Sequence, residues 1–367
     1  MHGAEAARQG AAAGLRFGLI GCGDIGAVRL SALAQVGARV VAVSDIDAKR
    51  GTGLANRHTA VFDRDWHTLL ARPDIDAVII STPPSLHEEM GVAALNAGKH
   101  VLCEKPLARS PQECRSLLDA ARRSSRLLAV GFNYRFYPSF VLARDVLAAG
   151  RIGELSHIRA YAGYSATGHN QAWVKDAAVV GGGALHDNGI HLIDLVRSFL
   201  GEVEEVNGWA TSRIWGYGAA EDNGFLLLRS ADNRVATLHA SWTEWDRYQF
   251  RIELVGSLGK VTATCFPMRT EVVWSDRVGG ARRKRIHSFL GTKVGGHTRS
   301  YRWVVARSFV REFDAFAHAI AGGPSAIATG NDGLRAIEIA LAAQHLAGPP
   351  AARGAPSATR ATAEARK

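Results

Sequence analysis

One stretch near the N-terminus restricts the fold more than any other. The apolar run LRFGLI (residues 15–20) leads at once into Gly21-Cys22-Gly23-Asp24-Ile25-Gly26, and AVRLSALAQVG follows with apolar residues at helical spacing. A strand that turns on glycines into a helix has a physical purpose. The first glycine permits the tight turn, the second lets the backbone approach a pyrophosphate, and the third lets helix and strand pack closely. The first N–H groups of the helix and the positive end of its dipole then face the phosphates. A second apolar run, RVVAVS, ends at Asp45, twenty-four residues after Gly21. A carboxylate there accepts hydrogen bonds from the adenosine ribose and repels a 2′-phosphate. Ile46 follows and no arginine adjoins, so NAD is the expected cofactor, while Lys49 and Arg50 stand near enough to leave NADP open. The plain alternative for Asp45 is a turn or helix cap.

Strand-like and helix-like runs keep alternating: DAVIIS (76–81), SLHEEMGVAALNAG, HVLCE (100–104), SPQECRSLLDAARRS, then LLAVGF (127–132). Alternation of this kind means a parallel, doubly wound sheet with crossover helices. Ligands of such sheets lie beyond the carboxyl ends of the strands, which singles out Ser81-Thr82-Pro83, Glu104-Lys105-Pro106 and Asn133-Tyr134-Arg135. Pro106 biases Lys105 to an extended backbone, so its ammonium is aimed in a fixed direction. A partly desolvated lysine can share in proton transfer; the alternative is a surface lysine paired with Glu104.

At 367 residues the chain is long enough for two cores. After Gly153 the runs LSHIRAYAGY, EVNGWATSRI, GFLLLRS, RVATLHASW, YQFRIELVG and KVTATCF are strand-like with few helices between them, and FVREFDAFAHAIAG and DGLRAIEIALAAQHLAG close the chain as helices. That reads as an α+β domain with a large, mostly antiparallel, open-faced sheet, and a sheet with one uncovered face favours oligomers. The expected division is a tail at 1–13, a dinucleotide-binding domain at 14–137, a substrate-binding and oligomerisation domain at 138–347, and a tail at 348–367 rich in Pro, Ala and small polar residues.

The net charge of +10 raises nucleic acid as a partner. Ten Lys/Arg and no Asp/Glu fall between Arg277 and Arg311, which equals the whole excess. Its densest part, Arg282-Arg283-Lys284-Arg285, lacks interleaved aromatics or a nucleic-acid motif, so a solvated loop is expected and no nucleic acid. An anionic substrate or an acidic neighbouring subunit stays open for it. Cys22, Cys103, Cys114 and Cys265 form no C-x-x-C pair, so neither a disulfide framework nor a thiolate metal site is expected. The opening MHGAEAARQGAAAG lacks the basic start and apolar middle of an export leader, and no apolar run approaches the roughly 20 residues of a membrane span. A soluble, cytoplasmic protein is expected.

The segment GGGALHDNGIHLID (181–194) packs two histidines and two aspartates together. Ile190, Ile193, Val196, Phe199 and Leu200 recur as a helix face, with Gly201 placed to stop it. Asp187 and His191, four apart, share a face, whereas His186 and His191, five apart, diverge. That separation argues against zinc, so no metal is expected. A bland alternative is an Asp187 helix cap beside a satisfied core histidine.

Taken in order, the glycine turn at Gly21, Asp45, STPPSLH (81–87), AGKHVLCEKPLA (97–108), GFNYRFYP (131–138), GGGALHDNGIHLIDLV (181–196) and TGNDGLRAIEIA (329–340) resemble the glucose-fructose oxidoreductase / inositol dehydrogenase (Gfo/Idh/MocA) family, over about residues 14–347. The resemblance implies a Rossmann domain binding NAD or NADP, and a second domain whose open sheet makes homodimers or homotetramers. It also implies that Lys105, Asp187 and His191 meet over the nicotinamide. A departing hydroxyl proton needs a base within reach, so His191 is assigned as general acid/base, Lys105 as the cation stabilising the alkoxide, and Asp187 as the group orienting His191 or the substrate. Less specific carry-overs are Thr82, Pro83 and His87 as cofactor wall, and Asn133, Tyr164 and Trp173 as substrate contacts. His186, where an apolar residue is common, and the basic segment depart from the family pattern; either would suit an anionic sugar.

The function so implied is hydride transfer between NAD(P) and a secondary hydroxyl or ketone of a sugar, cyclitol or nucleotide-linked sugar. Two alternatives share the scaffold: an enzyme with tightly held, internally recycled NAD that swaps hydride or cleaves glycosides, and a non-enzymatic dinucleotide-binding regulator.

Overall fold

The computed structural model describes residues 12, 14–168, 172–289, 293–294, 297–298 and 301–346. The two expected tails lie outside the described residues, apart from residue 12. The first sheet is built from β1 (Arg16–Ile20), β2 (Arg39–Ser44), β3 (Val61–Asp63), β4 (Ala77–Ile80), β5 (His100–Cys103) and β6 (Leu128–Val130), all parallel, in the spatial order β3-β2-β1-β4-β5-β6. Every residue of β4 and β6 is buried, as strands covered by helices on both faces must be. The crossovers are α1 (Asp24–Leu33), α2 (Ala48–His58), α3 (Trp66–Leu70), α4 (His87–Asn96) and α5 (Pro111–Ser124). Local chemistry sets their ends: the Asp47 carboxylate accepts from the Arg50 amide to start α2, and Ser110 caps α5 with Pro111 at its first position. The order of the strands reverses between β1 and β4, so a crevice opens at their carboxyl ends.

After α6 (Pro138–Ala148) the chain enters an eight-stranded sheet of β7 (Leu155–Gly163), β8 (Val203–Thr211), β9 (Asn223–Ser230), β10 (Val235–Ser241), β11 (Gln249–Gly256), β12 (Gly259–Thr264), β13 (Arg269–Trp274) and β14 (Arg283–Ser288), ordered β14-β13-β12-β11-β7-β10-β9-β8. All neighbours are antiparallel except β7 and β10. One face is packed by α9 (Gly189–Leu200), which follows the short helices α7 (Ala177–Val180) and α8 (Ala184–Asp187). The other face carries exposed Trp209, Phe225 and Leu227. β14 corrects the expectation of a solvated loop at Arg282–Arg285: three of those four cations stand on an exposed edge strand, where charge discourages another chain from pairing. Two short strands, β15 (Lys293–Val294) and β16 (His297–Thr298), pair antiparallel.

The chain then returns to the first domain. α10 (Tyr301–Ile320) packs on α1, with Phe313 edge-on to Phe17 of β1 at 6.1 Å between centroids. β17 (Ala328–Thr329) adds an antiparallel edge to β6 before α11 (Gly330–Leu346) crosses back to β8 and α9. Two domains divided once at 137/138 leave out this return. Phe309, Val310, Phe313, Phe316 and Ile327 share a core with Phe17, Leu30 and Leu33.

Candidate active site

Side chains from distant parts of the chain meet at the crevice. Lys105, just after β5, places its Nζ 3.0 Å from the Asp187 carbonyl oxygen and 3.1 Å from Asp187 Oδ1, so the lysine bridges the two domains. The alternative pairing with Glu104 does not form, because Glu104 is taken by Arg29 of α1. The Arg29 guanidinium, wholly buried beside the Phe309 ring, donates through Nε to Glu104 and through Nη1 to Glu312 Oε2 at 2.7 Å. A buried arginine needs such partners, since an unpaired charge in a core costs several kcal/mol. Burial still pushes the Glu312 carboxyl up to about 7, against the pull of Arg29. Glu104 Oε2 in turn accepts from the Lys105 amide at 3.2 Å, so this triad fixes the backbone that aims the lysine.

Asp187 is the last residue of α8, not the cap of the following helix. Asn188 precedes α9 and makes no side-chain cap there. Asp187 Oδ2 accepts from the Trp242 indole Nε1 at 3.1 Å and from the Tyr164 hydroxyl. Burial and the adjacent Asp187 charge push the Tyr164 phenol far above its ordinary value, so it stays a donor. His191, on the first turn of α9, is 6% exposed. Its ring stacks on Tyr134 at 4.2 Å and an 11° interplanar angle, with Phe132 edge-on at 5.8 Å. Burial first, then the nearby Lys105 charge, drives the imidazole well below its ordinary 6.5. It is therefore neutral at pH 7, with a lone pair free to take a proton.

All three residues line one cleft of about 630 Å³ that runs back over the glycine turn. Gly21, Gly23, Asp24, Ile25, Asp45, Ser81, Thr82, Pro83, Glu104, Asn133 and Trp173 line it as well. The cradle suits a dinucleotide. Gly21 holds φ +95°, and a Cβ there would lie 2.5 Å from the Ser81 carbonyl oxygen, whereas a Cβ at Gly23 meets nothing nearer than Arg50 at 4.0 Å, so that backbone is open to a ligand. The Asp45 carboxylate is anchored through both oxygens, by the Cys22 amide at 2.7 Å and the Asp47 amide at 2.8 Å. Cys22 and Gly26 support the turn from beneath: burial raises the Cys22 thiol to about 12, keeping it unreactive, and Gly26 packs on the Gly21 carbonyl.

Three expectations need correcting. His87 is not cleft wall; it is fully buried, its ring nitrogens 2.9 Å from the Pro106 and Thr82 carbonyl oxygens, and ties the two wall loops together from behind. Tyr164 is not among the lining residues and acts on Asp187 instead. His186 is fully buried with neither ring nitrogen bonded, and neither it nor Arg282–Arg285 lines the cleft. The sequence reading missed Trp66, Arg64, Tyr137, Val305 and Phe309, which also line the cleft, and Trp242 and Glu221 behind it. Trp66 has no such signal, since it follows a three-residue strand too short to stand out by periodicity; Val305 and Phe309 come from α10, whose return nothing local announces.

Comparison with known proteins gives the family. The family model "Oxidoreductase family, NAD-binding Rossmann fold" matches residues 15–132 and "GFO/IDH/MocA C-terminal domain" matches residues 140–262; the chain belongs to the GFO/IDH/MocA family of NAD-dependent oxidoreductases. It is 32% identical over 337 residues to inositol 2-dehydrogenase of Rhizobium meliloti (strain 1021), covering 90% of this chain and 96% of the relative. It is 33% identical to dTDP-3,4-didehydro-2,6-dideoxy-alpha-D-glucose 3-reductase of Saccharopolyspora spinosa, over 67% of this chain and 74% of that protein. Among solved structures, levoglucosan dehydrogenase in complex with NADH and L-sorbose superposes with a TM-score of 0.81 at 27% identity, over 91% of this chain and 96% of that one. The protein is an NAD-binding dehydrogenase, and among the described residues no helix is long and apolar enough to cross a membrane.

Proposed function

We propose that this protein moves hydride between NAD and a secondary hydroxyl or ketone on the ring of a sugar or cyclitol, free or nucleotide-linked. The observation that carries the reading is the convergence of Lys105 from the first domain with Asp187 and His191 from the second in one cleft that also contains the glycine turn. The nicotinamide, when bound, supplies the hydride acceptor or donor. His191, neutral at pH 7, takes the hydroxyl proton on oxidation and returns it on reduction. Lys105 donates to the same oxygen and stabilises its developing negative charge, and Asp187 holds the ammonium in place through Oδ1. Asn133 and Trp173 contact the ring, and Tyr164 serves Asp187. Relatives named for inositol, levoglucosan and a dTDP-sugar support this substrate class. A reacting ring without its own charged group is favoured because, among the described lining residues, the cations other than Lys105 are Arg50 and Arg64, and Arg50 stands by the glycine turn.

We further infer a homodimer or homotetramer through the open sheet. Trp209, Phe225, His239 and Tyr161 form a continuous cross-strand row, with Trp209 65% exposed and the Phe225 and His239 rings stacked at 4.1 Å. Four buried free cysteines suit a reducing, cytoplasmic setting. The test is NADH formation from NAD and a panel of inositols, anhydrosugars, aldoses and nucleotide sugars, with His191→Ala alongside. Turnover lost in the variant while NADH still binds is the expected result. Persistent turnover removes His191 as the base, and binding of NADH with no turnover on any polyol rejects the dehydrogenase reading.

A further inference from the structure

Asp187 has two supports, the chain that carries it and the indole that donates to it, and both lead back to one dipeptide. The first support is the turn into α8. The Gly183 amide donates to Glu221 Oε2 at 2.6 Å, the Leu185 amide to Glu221 Oε1 at 2.9 Å, and the Ala184 amide to the Glu221 carbonyl oxygen at 2.9 Å. Three consecutive amides thus end on a single residue that is 4% exposed. Gly183 also lies so close to the Glu221 backbone that a side chain would overlap it. The second support is Trp242. Its amide donates to the carbonyl oxygen of Asp222 at 2.8 Å, and its own carbonyl oxygen accepts from the Trp215 indole at 2.8 Å. The Asp222 carboxylate in turn holds the loop bearing that indole, accepting from the Ile214 amide at 2.6 Å and the Trp215 amide at 3.3 Å. Glu221 and Asp222 therefore fix, between them, the turn that carries Asp187 and the donor to Asp187 Oδ2.

We propose that Glu221 is a positioning residue for the reaction: its carboxylate sets where Asp187 stands, and through Asp187 where the Lys105 ammonium points. The inference rests on the functional reading above, in which Lys105 acts on the substrate oxygen. A buried carboxylate is costly, and a short turn can be closed by an amide or a hydroxyl. What a carboxylate adds is acceptor capacity on both oxygens without a donor of its own, so that two neighbouring N–H groups are held at fixed separation by charge-assisted bonds. Catalytic geometry is the property most sensitive to such restraint, since a misplacement of about 1 Å can cost on the order of 100-fold in rate.

The test is Glu221→Gln in the full-length protein, which keeps the size but turns an NH2 toward one of the two amides. Three measurements are made: kcat on the best polyol, the NADH dissociation constant by fluorescence, and the rate at which an amine-directed reagent modifies Lys105, followed by mass spectrometry. The expected result is a kcat lower by about 10–100-fold, NADH affinity within about twofold of the parent, and faster Lys105 modification, because the ammonium is no longer held. Asp187→Asn accelerates the same modification, and adding Glu221→Gln to it changes neither kcat nor labelling further, since both act through one contact. Multiplying effects in the double variant, or a lowered melting temperature with kcat and labelling at parental values, overturns the proposal. Glu221→Asp, which keeps charge and can still reach one amide, restores labelling part of the way and serves if Glu221→Gln does not fold; no restoration there counts against the idea. The labelling needs no turnover, so its outcome stands even if no polyol proves to be a substrate.

Discussion

His186 is the histidine a reader of the sequence would mutate first, since it adjoins Asp187, and the structure gives it a different consequence. It is fully buried with both ring nitrogens unbonded, and burial pushes its pKa down to about 4 from an ordinary 6.5. In the unfolded chain the ring takes up a proton as pH drops through 6.5, while the folded protein resists until about 4. Its contribution is therefore intact above pH 6.5 and is lost as pH falls from 6.5 to about 4. At about 1.4 kcal/mol per pH unit, the loss amounts to about 3 kcal/mol. His186→Leu removes the titration and the unpaired nitrogens, whose burial costs about 1–3 kcal/mol in its own right. Urea unfolding followed by tryptophan fluorescence, from pH 8 to pH 4.5, measures both. The variant should be the more stable protein at pH 8, and its advantage should widen by nearly the full amount toward acid. His191, also buried, titrates in both proteins and cancels in the difference. Two curves that stay parallel across the range would refute the reasoning, because the ring must then have a partner or water. NADH formation by the variant should stay within about twofold of the parent; a collapse would mean that His186 reaches the substrate.

Three further outcomes follow from the same geometry. Trp242→Phe deletes the indole donor to Asp187 Oδ2; a lost hydrogen bond to a carboxylate, about 1.5 kcal/mol, should lower kcat/KM about tenfold without altering NADH affinity, and an unchanged kcat/KM would deny Asp187 its orienting role. Because burial and Lys105 hold His191 well below 6.5, the acid limb of kcat/KM for alcohol oxidation should lie well under that value; steady-state rates from pH 5 to 9 check this, and an inflection at 6.5 would contradict it. The Glu312 carboxyl, raised to about 7, favours the folded state most below its unfolded value near 4.5 and loses that contribution as pH climbs to about 7. Glu312→Gln should be less stable overall, because Arg29 loses a partner, yet its melting temperature should lack that decline between pH 4.5 and 7, and an equal slope in both proteins would show Glu312 already ionised.

Where pattern and chemistry are local, the sequence is sufficient. The glycine turn needs one strand and one helix, both contiguous, and Asp45 follows from the next strand. The pairing of Lys105 with Asp187 was reached only through a family resemblance, since no periodicity relates residues so far apart. Glu221 and Trp242 were invisible for the same reason: Glu221 looks like a loop acid and Trp242 like the end of a strand, and their roles exist only once β9 and β10 lie against α8. The basic run at 282–285 was misread because charged side chains mask strand periodicity on an edge where both faces meet solvent. Tyr134 carried a motif but not its task, which is to hold the His191 ring flat.

The late return of α10 and β17 bears on how the protein is made. A ribosome that has delivered the first 137 residues has released a sheet whose β6 edge is bare and whose Phe17–Leu33 surface faces water, and their covers are still to be synthesised. At about 5–20 residues per second, the nascent chain waits on the order of ten to forty seconds for them. Through that interval the dinucleotide fold is an unfinished intermediate, with a strand edge open to pairing with any neighbouring chain. Cofactor that engages the glycine turn early would act as a chaperone for its own enzyme, by mass action on whichever compact states can hold it.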